Sequence, residues 1–109
     1  MTTKIKFTYK GKNYVLEYTR HSVKEMERRG FVAADVLNKP MLMLPEMFAG
    51  AFIANHRFTR RRDIDEMYQK FDNKSELLDA LAEMYSLVID DFVEELEKAH
   101  NGLAWERSE

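Results

Sequence analysis

The sequence predicts an α+β domain that is mostly helical, with an N-terminal β-hairpin packed on four or five helices and a long amphipathic helix near the C-terminus. Three patterns predict this. Ile5, Phe7 and Tyr9 alternate with Lys4, Lys6 and Thr8, and the alternation resumes at Tyr14, Leu16 and Tyr18 after Lys10-Gly11-Lys12-Asn13, which is the signature of two strands joined by a turn. From Asn73 to Asn101, Leu78, Leu81, Tyr85, Val88, Phe92, Leu96 and Ala99 recur three or four residues apart, which stacks them on one side of a helix. Between these two elements, start signals and short apolar patterns mark further helices.

The hairpin is too short to stand alone, so the face carrying Ile5, Phe7 and Leu16 is expected to lie on a helix, with the long one as the candidate. Ser22 with Glu25 reads as a capping box opening a short helix through Arg29. Gly30 closes it, and Val23, Met26 and Phe31 face inward. The weak pattern from Val32 to Asn38 is taken as a short helix. Asn38-Lys39-Pro40 breaks the chain before the run Met41-Leu42-Met43-Leu44, which fits neither period. Pro45 and Glu46 suit the first turn of the next helix, and Met47, Phe48, Ala51, Phe52 and Asn55 carry it to about His56. Gly50 inside that helix points to a backbone passing close by. Asp63 with Glu66 caps a helix whose inner residues are Ile64, Met67, Tyr68 and Phe71.

In the long helix Leu77, Met84, Ile89 and Val93 widen the stripe to about half the circumference, so packing is expected on both shoulders. Its back is acidic: Glu76, Asp79, Glu83, Asp90, Asp91, Glu94 and Glu97. Asn73 with Glu76 can cap its start, and Asn101-Gly102 can stop it. Residues 103 to 109 form a short tail in which Trp105 either folds back or contacts another chain.

At 109 residues the chain has the size of one domain (1–19 hairpin, 22–100 helical part, 102–109 tail) with enough length for a modest core. The absence of cysteine excludes disulfides, thiolate metal sites and cysteine nucleophiles. No apolar run has signal-peptide or membrane-spanning length, so a cytoplasmic protein is expected. The formal charge of −2 hides a split: through Arg62 there are thirteen Lys and Arg against five Asp and Glu, and from Asp63 onward four against fourteen. Either the halves attract within one copy, or the basic half of one copy meets the acidic half of another.

No chemistry is legible. His21, His56 and His100 lie on separate segments without a metal-binding spacing, Asp90 and Asp91 diverge by about 100° on a helix, and the phosphate-cradling and serine-hydrolase motifs are absent. The expectation is a non-enzyme with no catalytic residues, metal or cofactor. The stretch containing Arg57, Phe58, Arg60, Arg61 and Arg62 is the one nucleic-acid-like feature. Against it stand Asp63, Asp65 and Glu66 immediately after, a sequence pI of about 5.9 and the acidic long helix, so nucleic acid is expected only as the alternative partner.

Several phrases, taken in order, resemble the tail assembly chaperones of long-tailed bacteriophages and prophages. They are Phe7-Thr8-Tyr9, the hairpin leading to Tyr18-Thr19-Arg20, Val23-Lys24-Glu25-Met26-Glu27 ending at Gly30-Phe31, Met47-Phe48-Ala49-Gly50-Ala51-Phe52 with Asn55-His56, and Leu77-Leu78-Asp79-Ala80-Leu81-Ala82-Glu83-Met84-Tyr85. The resemblance covers about Phe7 to Leu96. It implies a non-enzymatic protein of the host cytoplasm that binds the tape-measure protein, keeps its long apolar helix soluble, recruits tail-tube subunits, self-associates, and is absent from the finished virion. A structural head-tail connector subunit and a small nucleic-acid-binding regulator are the alternatives. For an apolar client the expected contact residues are Met41, Met43, Leu44, Met47, Phe48 and Phe52, with Trp105 as a further contact; the same residues could be plain core.

Overall fold

The computed structural model describes residues 2–98 and 103–108. It is α+β and mostly helical. A hairpin of β1 (Ile5–Tyr9) and β2 (Lys12–Leu16) precedes α1 (Arg20–Arg28), a single 3₁₀ turn (Ala33–Asp35), α2 (Pro40–Gly50), α3 (Arg61–Lys70) and the long α4 (Lys74–Lys98). Ala99, His100 and the Asn101-Gly102 stop lie outside the described residues.

The hairpin turn is tighter than expected. Tyr9 pairs with Lys12, so the loop is only Lys10-Gly11, with φ of 50° and 78°; two consecutive left-handed residues match the twist of the strands, and Gly11 adopts that conformation without strain. On the inward face, Phe7 reaches the segments that follow α2 and α3. Phe7 stacks on Tyr14 at 5.1 Å and meets Phe52 beyond α2 at 6.5 Å and Phe71 beyond α3 at 4.9 Å.

Helix boundaries follow side-chain capping that the sequence offers twice. The box that opens α1 is Thr19 with Ser22, not Ser22 with Glu25: the Ser22 amide donates to Thr19 Oγ1 at 3.1 Å and the Thr19 amide donates to Ser22 Oγ at 2.8 Å. A hydroxyl at each end serves as well as the expected acid, and Ser22 is fully buried. Gly30 at φ +99° ends the helix and the Phe31 amide returns to the Met26 carbonyl, burying Phe31. α3 starts at Arg61 without a side-chain cap, so the Asp63–Glu66 box does not form. At α4, Asn73 takes φ 52° and its amide side chain donates to the Glu76 carboxylate, while its carbonyl accepts the Glu76 and Leu77 amides at 3.1 Å.

The largest departure is α2. It begins at Pro40, whose fixed φ and missing N–H suit the first helical position, and it runs through Pro45. Met41 to Leu44 are therefore helical, and they looked aperiodic because all four are apolar. The helix ends at Gly50 and not near His56. There the Ala51 carbonyl accepts the Glu17 amide at 3.2 Å, which draws the chain out of the helical ladder into tight turns that aim Phe52 inward. What Gly50 accommodates is a side chain and not a backbone: a Cβ there would sit 2.4 to 2.6 Å from Met26 Sδ, Cε and Cγ. Met26 is itself buried. Gly50→Ala gains about 1 kcal/mol of helix propensity but forces an overpacked contact costing about 1–3 kcal/mol. The expected outcome is a net loss of stability, read as a lower urea midpoint.

One contiguous core joins all the elements, with Leu16, Phe48, Phe52, Met67 and Leu81 almost wholly enclosed. Phe48 and Phe52 meet at 5.2 Å, and Phe48 touches Tyr68 and Phe71 at 5.3 and 5.5 Å. Tyr18 and Phe31 carry the core to Tyr85 of α4. α4 spans about 37 Å at the usual helical rise, and the molecule measures 57 × 29 × 26 Å, so α4 outruns the body. Leu77, Leu81, Met84 and Tyr85 are buried, whereas Ile89, Phe92, Val93 and Leu96 are exposed. Among the described residues, the large apolar side chains of α4 are enclosed in its first half and open to solvent in its second.

Candidate functional site

The fold creates two surfaces with chemical character. The first is an apolar groove of about 340 Å³ where α1 runs beside α4. Val23 of α1 and Val88, Ile89 and Phe92 of α4 form its floor, and Arg20, Lys24 and Glu27 its rim. Arg20 reaches across: its guanidinium lies 5.6 Å from the Phe92 ring centre and pairs with Glu95 at 2.6 Å. The Glu95 partner raises the Arg20 pKa, and Glu95 is lowered in turn. Beyond Phe92 the apolar stripe continues through Val93, 45% exposed, and Leu96, 60% exposed.

The second surface is the segment between α2 and α3. Asn55 and His56 bind the free edge of β2: the Val15 amide donates to His56 Nε2 at 3.0 Å and Asn55 Nδ2 donates to the Val15 carbonyl at 3.1 Å. Together they satisfy both backbone groups of a residue whose neighbouring strand is missing. The ridge that follows carries Arg57 and Phe58, the latter 93% exposed, between two open clefts of about 380 and 390 Å³.

To accept the Val15 amide, His56 Nε2 must be unprotonated. Desolvation, with Lys12 adding repulsion, lowers the His56 pKa from 6.5. The unfolded chain then binds this proton more readily than the folded one, so the contribution is intact above about 6.5 and is lost as pH falls from there through the folded value. His56→Gln keeps an acceptor and removes the titration. Urea midpoints at pH 7.5 and 5.5 should therefore converge in His56→Gln relative to the unsubstituted chain. A separate acid-sensitive link joins the hairpin to α3: Glu66, hydrogen-bonded by Tyr9 and paired with Lys70 at 3.1 Å and Lys10 at 3.4 Å, is held down at about 2. That link persists well below the window in which His56 titrates.

The structure divides the residues expected to bind a client. Met47 and Phe48, on the inner face of α2, and Phe52, in the turns that follow it, are buried core; they cannot line an open groove. Met43 and Leu44 are half-buried. Met41, 88% exposed, and Trp105, 80% exposed, are on the surface, and Leu37 and Leu42 are exposed near Met41. The groove residues Ile89, Phe92, Val93 and Leu96 belong to the helical stripe that the sequence assigns to packing. Their signal is a length mismatch: helices of nine and eleven residues cannot cover one of twenty-five.

In the basic stretch, Arg61 chelates Glu46 at 2.8 and 3.2 Å and pairs with Asp65 at 2.9 Å, which raises its pKa further. Arg60 pairs with Asp63 at 3.3 Å. Glu66 is turned toward the hairpin, and Arg57 and Arg62 have no acidic partner among the described residues. Also among the described residues, no group of three or more His, Asp or Glu side chains could hold a metal ion, and no helix is long and apolar enough to cross a membrane.

A family profile described as Domain of unknown function (DUF5055) matches residues 1–108. The chain belongs to the DUF5055 family. No curated protein and no solved structure matches it. The match spans both surfaces of this DUF5055 chain, from the hairpin through the exposed half of α4.

Proposed function

We propose that the protein is a bacteriophage tail assembly chaperone, a non-enzymatic protein of the host cytoplasm that sequesters an apolar helical segment of the tape-measure protein and helps recruit tail-tube subunits before leaving the finished particle. The phrases from Phe7 to Tyr85 that resemble such chaperones motivate the reading. The observation that carries it is the uncovered apolar stripe of α4, Ile89, Phe92, Val93 and Leu96, continuous with the α1–α4 groove. An amphipathic client helix laid along that stripe would bury its apolar positions at i, i+3, i+4 and i+7. Exposed apolar side chains in a row on one helix are otherwise an aggregation hazard, and an obligate client or a second copy would remove it.

Co-expression with the tape-measure protein of the same genome, followed by affinity capture, tests this. Client that becomes soluble and co-purifies supports the proposal. Client that stays insoluble beside a well-folded chaperone candidate contradicts it. Two variants locate the contact: loss of capture in Phe92→Ser assigns it to α4, whereas loss only in Met41→Ser assigns it to the exposed start of α2.

A further inference from the structure

We infer that the ridge between α2 and α3 binds single-stranded nucleic acid, with a base stacked on Phe58 and neighbouring phosphates held by Arg57, Arg60 and Lys12. A lone exposed phenylalanine is ordinary on a protein surface; its surroundings single this one out. Phe58 is 93% exposed on a ridge anchored by Asn55 and His56 to β2, so the ring is presented on a fixed support. Both adjoining clefts are open, and three cations border them, Arg57 on both and Lys12 from the hairpin turn and Arg60 on one, against Asp63 in the first cleft and Glu17, itself paired with Lys4, in the second. The chain topology, not the sequence run, brings Lys12 there.

The acidic residues that follow the ridge neutralise only part of it. Asp63 takes Arg60 and Asp65 takes Arg61, but Glu66 is turned to Tyr9, Lys10 and Lys70. Arg57 and Arg62 are left without an acidic partner among the described residues. The Arg60–Asp63 pair is solvent-exposed and can exchange its carboxylate for a phosphate at little cost. An aromatic platform flanked by cations is the arrangement by which proteins hold single strands without reading sequence. A duplex, whose bases are stacked internally, offers Phe58 no partner.

The test is fluorescence anisotropy of labelled oligouridine and oligothymidine of about 12 nucleotides, and of a duplex of equal length, with the full chain at about 50 mM salt. The single strands should bind more tightly than the duplex, and Phe58→Ala should weaken them about tenfold. Arg57→Ala with Lys12→Ala should lower the slope of log affinity against log salt by about 1.4. Lys24→Ala, on the groove side of α1, should leave binding unchanged. Absence of binding by the unsubstituted chain, full binding by Phe58→Ala, or an equal loss in Lys24→Ala would each overturn the inference. Phe58, Arg57 and Lys12 are all exposed, so the variants should remain folded, and client capture through α4 is unaffected by either result.

Discussion

Phe52→Ala is expected to lower the free energy of unfolding by about 3–5 kcal/mol, the range for deleting an enclosed aromatic ring. The side chain is 1% exposed and meets the rings of Phe7, Tyr14, Phe48 and His56. Hairpin, α2 and the β2 clamp converge on it, so the cavity cannot close by the movement of one element alone. Against a total stability of about 5–15 kcal/mol for a domain of this kind, that is a large fraction. Urea unfolding followed by far-ultraviolet circular dichroism measures it. Fluorescence would be a poor reporter, since Trp105 is 80% exposed beyond α4. The result also separates core from surface: if Phe52→Ala loses client capture, it does so by unfolding.

The second large effect concerns binding. Phe92→Ser should weaken capture of an apolar client helix about thirtyfold, equivalent to about 2 kcal/mol, the threshold at which a central aromatic anchor counts as dominant in an interface. Phe92 is 46% exposed at the edge of the fold, with the Arg20 guanidinium over its ring. Stability should therefore change by less than about 1 kcal/mol. Isothermal titration with a soluble fragment of the client, beside a urea melt of the same variant, resolves the two quantities. A variant that lost both together would place Phe92 in the fold and not in the interface.

The fold class was readable because its two strongest signals are local. Alternation around Gly11 and the three-to-four spacing through α4 each encode an element within a few residues. The inner faces of α1 and α3 were readable for the same reason. The start of α2 was not, since Met41, Leu42, Met43 and Leu44 are all apolar and a uniformly apolar run has no period. Capping was misassigned where Ser22 and Glu25 competed with Thr19 and Ser22, two boxes three residues apart that only packing decides.

The candidate surfaces were the least legible part. Phe48 and Phe52 suited either a groove or the core, and the fold encloses both, Phe48 on the inner face of α2 and Phe52 in the turns that follow it. Phe92 and Val93 looked like core because they share a stripe with Leu81 and Tyr85. A stripe records which side of a helix is apolar, not how far along it a neighbour extends. The charge of the basic ridge depends on which arginines find a carboxylate, and Glu66 is taken by a hairpin more than fifty residues earlier in the chain. Such pairings are set by tertiary structure alone.

Site-specific photo-crosslinking tests the central claim most directly. A photoreactive side chain is placed at Phe92 in one variant, at Leu96 in a second, and at the exposed Leu37 in a third, each co-expressed with the tape-measure protein. The α4 groove as client site predicts crosslinks from positions 92 and 96 to an apolar helical segment of the client, with none from position 37. Crosslinks from position 37 alone, or none from any position in cells where the client is soluble, would contradict it.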